Sequence, residues 1–227
     1  MSDISIIIPT KNRSLFLSRL IRYFSEVGFK GIVYIGDSSD SNHLEKNRKL
    51  VNDLDKSLNI IHKPYPNVKS PKCIKLLLEL VQTKYSVICN DDDFLVPDSL
   101  HQCVHFLENN PNYYSAHGKA IKIMTKNSMP HGKIISCKKK RQPIEEADKA
   151  SDRLIHFMPN LADVLFSVHR TKELKLICSF NDIPDGVLSG CILPNCLSII
   201  RGKIKEINCL SLVRHMQDNP YGSKEET

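Results

Sequence analysis

Three consecutive carboxylates, Asp91, Asp92 and Asp93, follow the short apolar run Tyr85-Ser-Val-Ile-Cys89 and Asn90. Like charges a few ångströms apart raise one another's pKa, and a divalent cation relieves that repulsion. Hard carboxylate oxygens suit Mg²⁺ or Mn²⁺, with substrate phosphates completing the shell. A solvated acidic turn is the ordinary fate of such a charge run. Position argues otherwise here, because the run follows what reads as a buried parallel strand, and open α/β sheets place their ligands beyond the C-terminal strand ends.

Two more polar clusters follow apolar runs in the same way. Ile4-Ser-Ile-Ile-Ile8 runs into Pro9-Thr10-Lys11-Asn12-Arg13, and Ile32-Val-Tyr-Ile35 runs into Gly36-Asp37-Ser38-Ser39-Asp40. Three strand ends bearing carboxylates, hydroxyls and basic groups then converge on one crevice, the layout of a nucleotide site. Neither G-x-G-x-x-G nor G-x-x-x-x-G-K-[ST] occurs, so a dinucleotide fingerprint and a P-loop are excluded.

The elements that must position these clusters alternate. Ser14 can cap a helix whose apolar positions Leu17, Leu20, Ile21, Phe24 and Val27 keep the helical period up to Gly28. Leu44, Leu50, Val51, Leu54 and Leu58 suggest a second helix, and Ile60-Ile61-His62 a third strand. Ser70-Pro71 reads as an N-cap with proline at the first helical position. Pro97-Asp98 opens a further helix that ends near Asn109-Asn110-Pro111. Strand and helix in alternation predict right-handed βαβ units and a parallel sheet, an α/β, Rossmann-like fold. In the second half, Tyr113–Ser115, Ala120–Met124 and Val164–Val168 read as strands, and Lys126–Pro143 as a polar loop. Asp148–Phe157 and Val187–Ile200 read as helices, Ile204–Ile207 and Leu210–Val213 as a closing hairpin, and the tail from Asn219 as frayed.

With 227 residues, 41% hydrophobic and 25% charged, the chain can bury a sizeable core as a single domain over 1–218. Its net charge of +7 favours anionic, phosphate-bearing ligands or an anionic membrane surface, and does not by itself mark a nucleic-acid binder. The basic run Lys138–Arg141 has no interleaved aromatics and the chain has no Trp, so nucleic acid is not expected as a partner. Eight scattered cysteines without C-x-x-C or Cys/His zinc spacing read as reduced thiols of a cytoplasmic protein. The N-terminus lacks the basic region of a signal peptide. The longest apolar stretch, Val187–Ile200, is too short and too interrupted to span a bilayer, so any membrane contact is expected to be peripheral, at the inner membrane face.

Ile4–Arg13 (ISIIIPTKNR), Ile35–Asp40 (IGDSSD) and Asn90–Pro97 (NDDDFLVP) together resemble the three landmarks of family 2 type glycosyltransferases with the GT-A fold. Tyr114–Gly118 (YSAHG), Phe166–Thr171 (FSVHRT) and Gly202–His215 (GKIKEINCLSLVRH) resemble a bacterial subfamily of them. The resemblance covers nearly the whole chain. It implies a nucleotide-sugar half over 1–110 and a smaller mixed acceptor half over 111–218. Pro9, Thr10 and Arg13 match the loop that packs on base and ribose, Asp37 the acidic residue that contacts them, and Lys72 a basic residue near the diphosphate. The family's D-x-D element falls on Asp92 and Asp93, with Asn90 at the first position of the D-x-D ending at Asp92 and Asp91 as an extra carboxylate. His215 matches a histidine that completes the metal or diphosphate site from the C-terminal segment.

Glycosyl transfer with inversion needs a base for the acceptor hydroxyl. The family places an acidic residue at the start of a helix below the acceptor, which makes Asp185 the candidate and Asp182 the runner-up. Capping of that helix is the competing role for Asp185. The resemblance therefore implies a Mn²⁺- or Mg²⁺-dependent hexosyltransferase acting in polysaccharide biosynthesis. Its donor would be a nucleotide sugar, UDP favoured, and its acceptor a glycan, a lipid-linked chain or a small molecule. A sugar nucleotidyltransferase is disfavoured because Thr10-Lys-Asn-Arg13 lacks glycine. A non-catalytic sugar-binding protein on the same fold is the other alternative.

Overall fold

The computed structural model describes residues 3–54, 56–180 and 188–217. The first half alternates strand and helix as its sequence predicts, except that Ser70, expected as an N-cap, lies inside its helix; Lys69 holds the cap position and no side-chain cap bond forms. Strand β1 (Ile4–Thr10) leads to α1 (Ser14–Glu26), then β2 (Ile32–Asp37), α2 (Ser41–Leu54), β3 (Asn59–Pro64), α3 (Ser70–Leu80) and β4 (Tyr85–Ile88). All four strands are parallel, in the order β3-β2-β1-β4. β1 shows why the run is rich in isoleucine. Ile4, Ile6 and Ile8 pack with Leu17, Leu20, Ile21 and Phe24 of α1, whereas Ile7 packs with Cys73, Leu77 and Leu78 of α3. Both faces are covered, so a strand with alternating polarity could not occupy this position. Ser14 opens α1 without capping it; its Oγ meets His43 Nδ1 at 2.9 Å instead.

β5 (Phe94–Leu95) and α4 (Pro97–Asn109) follow, then β6 (Tyr113–Thr125), β7 (Ile134–Lys140), α5 (Ala150–Phe157), β8 (Val168–Arg170), α6 (Thr171–Ile177), α7 (Leu193–Arg201) and β9 (Lys203–Met216). The nine strands form one mixed sheet, β3-β2-β1-β4-β8-β6-β9-β5, with β7 on the free length of β6. β8 runs antiparallel to β4 and β6, and β9 runs parallel to β6.

Several second-half expectations are corrected. The two strands expected over Tyr113–Ser115 and Ala120–Met124 are one, continuous through Gly118, where a Cβ would lie 2.5 Å from Cys209 O. The expected loop Lys126–Pro143 contains β7, exposed along most of its length and therefore without a period to read. The expected closing hairpin is the single strand β9, its middle bulged where the register against His117–Ala120 shifts. The strand expected over Val164–Val168 begins at Val168, and the helix expected over Val187–Ile200 is a π turn, Leu188–Ile192, running into α7. Val187 and the tail from Asn219 lie outside the described residues.

Gly36, at the tip of β2, lets α3 approach: a Cβ there would sit 2.3 Å from Cys73 Sγ and 2.9 Å from Leu77 Cδ1. Gly36→Ala is expected to destabilise the fold by about 1–3 kcal/mol, the usual range for overpacking. Chemical denaturation checks this, and an unchanged midpoint would refute it.

Candidate active site

The crevice opens between β1 and β4, where the strand order reverses, so the chain leaves the two tips in different directions. Hydrogen bonds stitch the loops after β1 and β2 together: Ser38 N donates to Thr10 O at 2.9 Å, Asn12 N to Ser39 Oγ at 2.8 Å and Asp40 N to Asn12 Oδ1 at 2.9 Å. Asn12 adopts a left-handed conformation, φ 54°, which asparagine tolerates better than most residues. Asn90 to Asp93 form a turn closed by Asp93 N donating to Asn90 O at 3.3 Å.

The three aspartates diverge from that turn. Asp91 is buried, accepts from Thr10 Oγ1 at 2.7 Å, and pairs with Arg13 NH1 at 2.9 Å. Asp92 is the most accessible, its side chain 14% exposed; its Oδ2 accepts from Arg13 NH2 and from Gln217 Nε2, each at 2.8 Å. Asp93 points inward, accepting from His215 N at 3.0 Å and Asn90 Nδ2 at 3.2 Å, with Arg214 Nε 3.5 Å away. One guanidinium thus bridges two carboxylates from a different strand tip. Arg13 itself lies over the Phe16 ring at 4.6 Å. Arg19, from the next turn of α1, donates to Asp92 O and Pro130 O and stacks 4.5 Å over Phe94.

Burial pushes the Asp91 carboxyl up to about 7; Arg13 opposes the shift and Asp92 adds to it. Asp93 is raised for the same first reason, burial, and then by Asp92. Asp37 shows the opposite balance. Burial would raise it, but hydrogen bonds from His62, Ser39 and Asn47 outweigh that and hold it at about 2. Its Oδ2 receives Asn47 Nδ2 at 2.8 Å and His62 Nε2 at 3.0 Å. Its carboxylate therefore braces the tips of β2 and β3 and the α2 helix. Because the folded pKa lies below the unfolded value near 3.9, Asp37 contributes stability above about pH 4, which is lost as pH falls to about 2. Asp37→Asn is expected to cost about 2–3 kcal/mol at neutral pH, with the gap to the parent closing at the acid end. Unfolding curves across pH measure this; a pH-independent gap would count against it.

The structure brings together Thr10, Arg13, Asp91, Asp92 and Asp93, with half-buried Pro9 beside them on β1 and Asp37 at the neighbouring tip. Lys72 is exposed in the first turn of α3, which packs against the β2 tip through Cys73. His215 reaches the cluster through its backbone N–H. Its ring faces Thr125 Oγ1 at 2.8 Å and Arg19 NH1 at 3.3 Å, and burial followed by the Arg19 charge lowers its pKa. Asp182 and Asp185 lie outside the described residues. His117 and His169 are buried; each meets backbone carbonyls, Gly118 O and Pro143 O for the first and Val164 O for the second. Sequence reasoning missed Arg19 and Gln217. Arg19 shared a signal with Arg13, since residues 13, 16 and 19 fall on one flank of α1.

Whether these groups suit a divalent cation depends on the kind of site. Among the described residues no three His, Cys, Asp or Glu side chains form a closed cage. The Asp91–Asp92 edge instead offers hard oxygens at a rigid strand end, with buried charge that Arg13 compensates incompletely. That fits an ion completed by substrate phosphates.

The glycosyl transferase family 2 model matches residues 5–166, and the chain belongs to that family. No curated protein sequence matches it. Among solved structures, the mannosyltransferase PcManGT from Pyrobaculum calidifontis in complex with GDP-Man and Mn²⁺ superposes with a TM-score of 0.63 at 12% identity, over 96% of this chain and 58% of that one. S. aureus TarS 1-349 in complex with UDP-GlcNAc superposes with a TM-score of 0.62 at 14% identity, over 96% of this chain and 60% of that one. At such identity the likeness is one of fold, a GT-A type α/β sheet flanked by helices. The chain spans about 36% of the longer TarS structure and 60% of the shorter one. No described helix is long and apolar enough to cross a membrane.

Proposed function

We propose that the chain is a metal-dependent, inverting hexosyltransferase of polysaccharide biosynthesis, of the bacterial subfamily its NDDDF and GKIK motifs resemble. It acts in the cytoplasm, with peripheral contact to the inner membrane face. Residues 1–110 bind a nucleotide-sugar donor, UDP favoured, and residues 111–218 hold a glycan or lipid-linked acceptor. The observation that carries this reading is the bridge from Thr10 and Arg13 on the β1 tip to Asp91 and Asp92 beyond β4. It puts opposite charges in one crevice, where a diphosphate and its counter-ion would meet.

In this reading Asp92, with Asp91 beside it and His215 behind, holds Mn²⁺ or Mg²⁺, which when bound acts as a Lewis acid on the departing diphosphate. Arg13 adds a fixed positive charge at the same point, worth most where water is excluded. Asp93 keeps the turn in place from below. Pro9, Thr10, Asp37 and Lys72 form the wall for base, ribose and diphosphate, and Asp185 takes the acceptor proton. Solved structures of similar fold include complexes with UDP-GlcNAc, UDP and GDP-Man, which supports a nucleotide-sugar donor. Calorimetric titration with UDP and GDP, with and without Mn²⁺, tests it. Metal-dependent binding of one of the two is expected, and silence for both would overturn the proposal.

A further inference from the structure

On the far side of the aspartate cluster, β7, β6 and β9 carry cations in register. Lys138 pairs with Lys122 and Lys122 with Arg214, directly across the strands. Directly paired residues share a sheet face, and the next position but one on β7, Lys140, returns to it. With neighbouring strands about 4.8 Å apart, the row spans about 10 Å. Its inner end is Arg214, 22% exposed, 2.9 Å from Asp163 and 3.5 Å from Asp93. Its outer lysines, 122 and 138, are exposed. Among the described residues no ion pair engages Lys122, Lys138 or Lys140. Burial, followed by the charge of Arg214, keeps the Lys140 ammonium below its usual range, so these cations crowd together with too little counter-charge.

We infer that the row formed by Lys138, Lys122, Lys140 and Arg214 binds a polyanionic, phosphate-bearing acceptor chain and leads it toward the aspartate tip. The word acceptor rests on the transferase reading above; the anion site does not. A single phosphate would meet one or two of these cations, whereas a chain with repeated phosphates can follow all of them. A flat bilayer could reach exposed Lys138, but not Arg214, which is recessed between Asp163 and Asp93. The run Lys138–Arg141 thereby divides by strand alternation: Lys138 and Lys140 face the row, and Lys139 points the other way.

The probe is inorganic polyphosphate, titrated calorimetrically into the full chain at low salt. The parent is expected to bind. Lys122→Ala/Lys138→Ala/Lys140→Ala should weaken binding about tenfold or more, and the matching Lys→Arg triple should restore it. A charge-matched triple at Lys126, Lys133 and Lys139, exposed residues outside the row, should bind like the parent. Equal loss in both alanine triples would reduce the effect to net charge and overturn the inference, as would no loss in the first or no binding by the parent. Phosphatidylglycerol vesicles that depend on the row where polyphosphate does not would also overturn it, in favour of a lipid surface. UDP with Mn²⁺ is titrated in parallel. If it fails to bind while polyphosphate behaves as stated, the transferase reading falls and the anion row stands; the reverse pattern separates them the other way.

Discussion

Asp92→Ala is expected to lower donor turnover by about 10²–10³-fold, the range seen when one preorganised electrostatic contact to a transition state is removed. Fold stability should change little. Asp92 is the most accessible of the three carboxylates, and its charge raises the pKa of both Asp91 and Asp93, so its loss relieves crowding while it ends the Arg13 and Gln217 contacts. Asp93→Ala should behave in the opposite way. It strands the buried His215 N–H and leaves Arg214 with Asp163 as its remaining carboxylate, at a cost of about 1–3 kcal/mol. Donor hydrolysis measured beside thermal unfolding separates the two roles. Equal activity in Asp92→Ala and the parent would remove this carboxylate from the chemistry.

The parallel half of the fold was legible because each of its central strands is buried on both faces, and an apolar run such as Ile4–Ile8, interrupted only by Ser5, admits few other readings. The second half was less so, for reasons that differ by element. β6 carries Gly118 in mid-strand, which reads as a break but is required by the close approach of Cys209 O. β7 exposes its isoleucines as well as its lysines, so burial imposes no period on it. Asn208-Cys209 looks like a hairpin turn and is instead the bulge that lets β9 stay parallel to β6. In the site, the strand-tip residues could be found because each tip announces itself locally. Arg19 donating to Asp92 O, and Gln217 reaching Asp92 from the far end of the chain, are contacts over 73 and 125 residues that no local pattern encodes.

Arg13→Ala is expected to have the largest effect on the fold of any change in the crevice. Arg13 is the positive charge closest to Asp91, whose carboxylate is 4% exposed. Leaving a buried charge unpaired costs about 3–5 kcal/mol, and the Thr10 hydroxyl that remains lowers this toward about 3 kcal/mol. The loss must depend on pH, with a definite sign. An acid whose folded pKa, here about 7, lies above its unfolded value near 4 withdraws stability as pH rises between the two. Removing Arg13 raises the folded value further and widens that window. Below about pH 6 Asp91 is protonated in the fold and needs no partner, so parent and variant should converge; near pH 8 they should lie furthest apart. Mn²⁺ provides the second half of the test. If the Asp91–Asp92 edge accepts a cation, the ion should restore stability to Arg13→Ala at alkaline pH and do much less for Arg13→Ala/Asp92→Ala. A deficit that ignores both pH and metal would mean that Arg13 acts by packing on Phe16 and not as the counter-charge of the carboxylates.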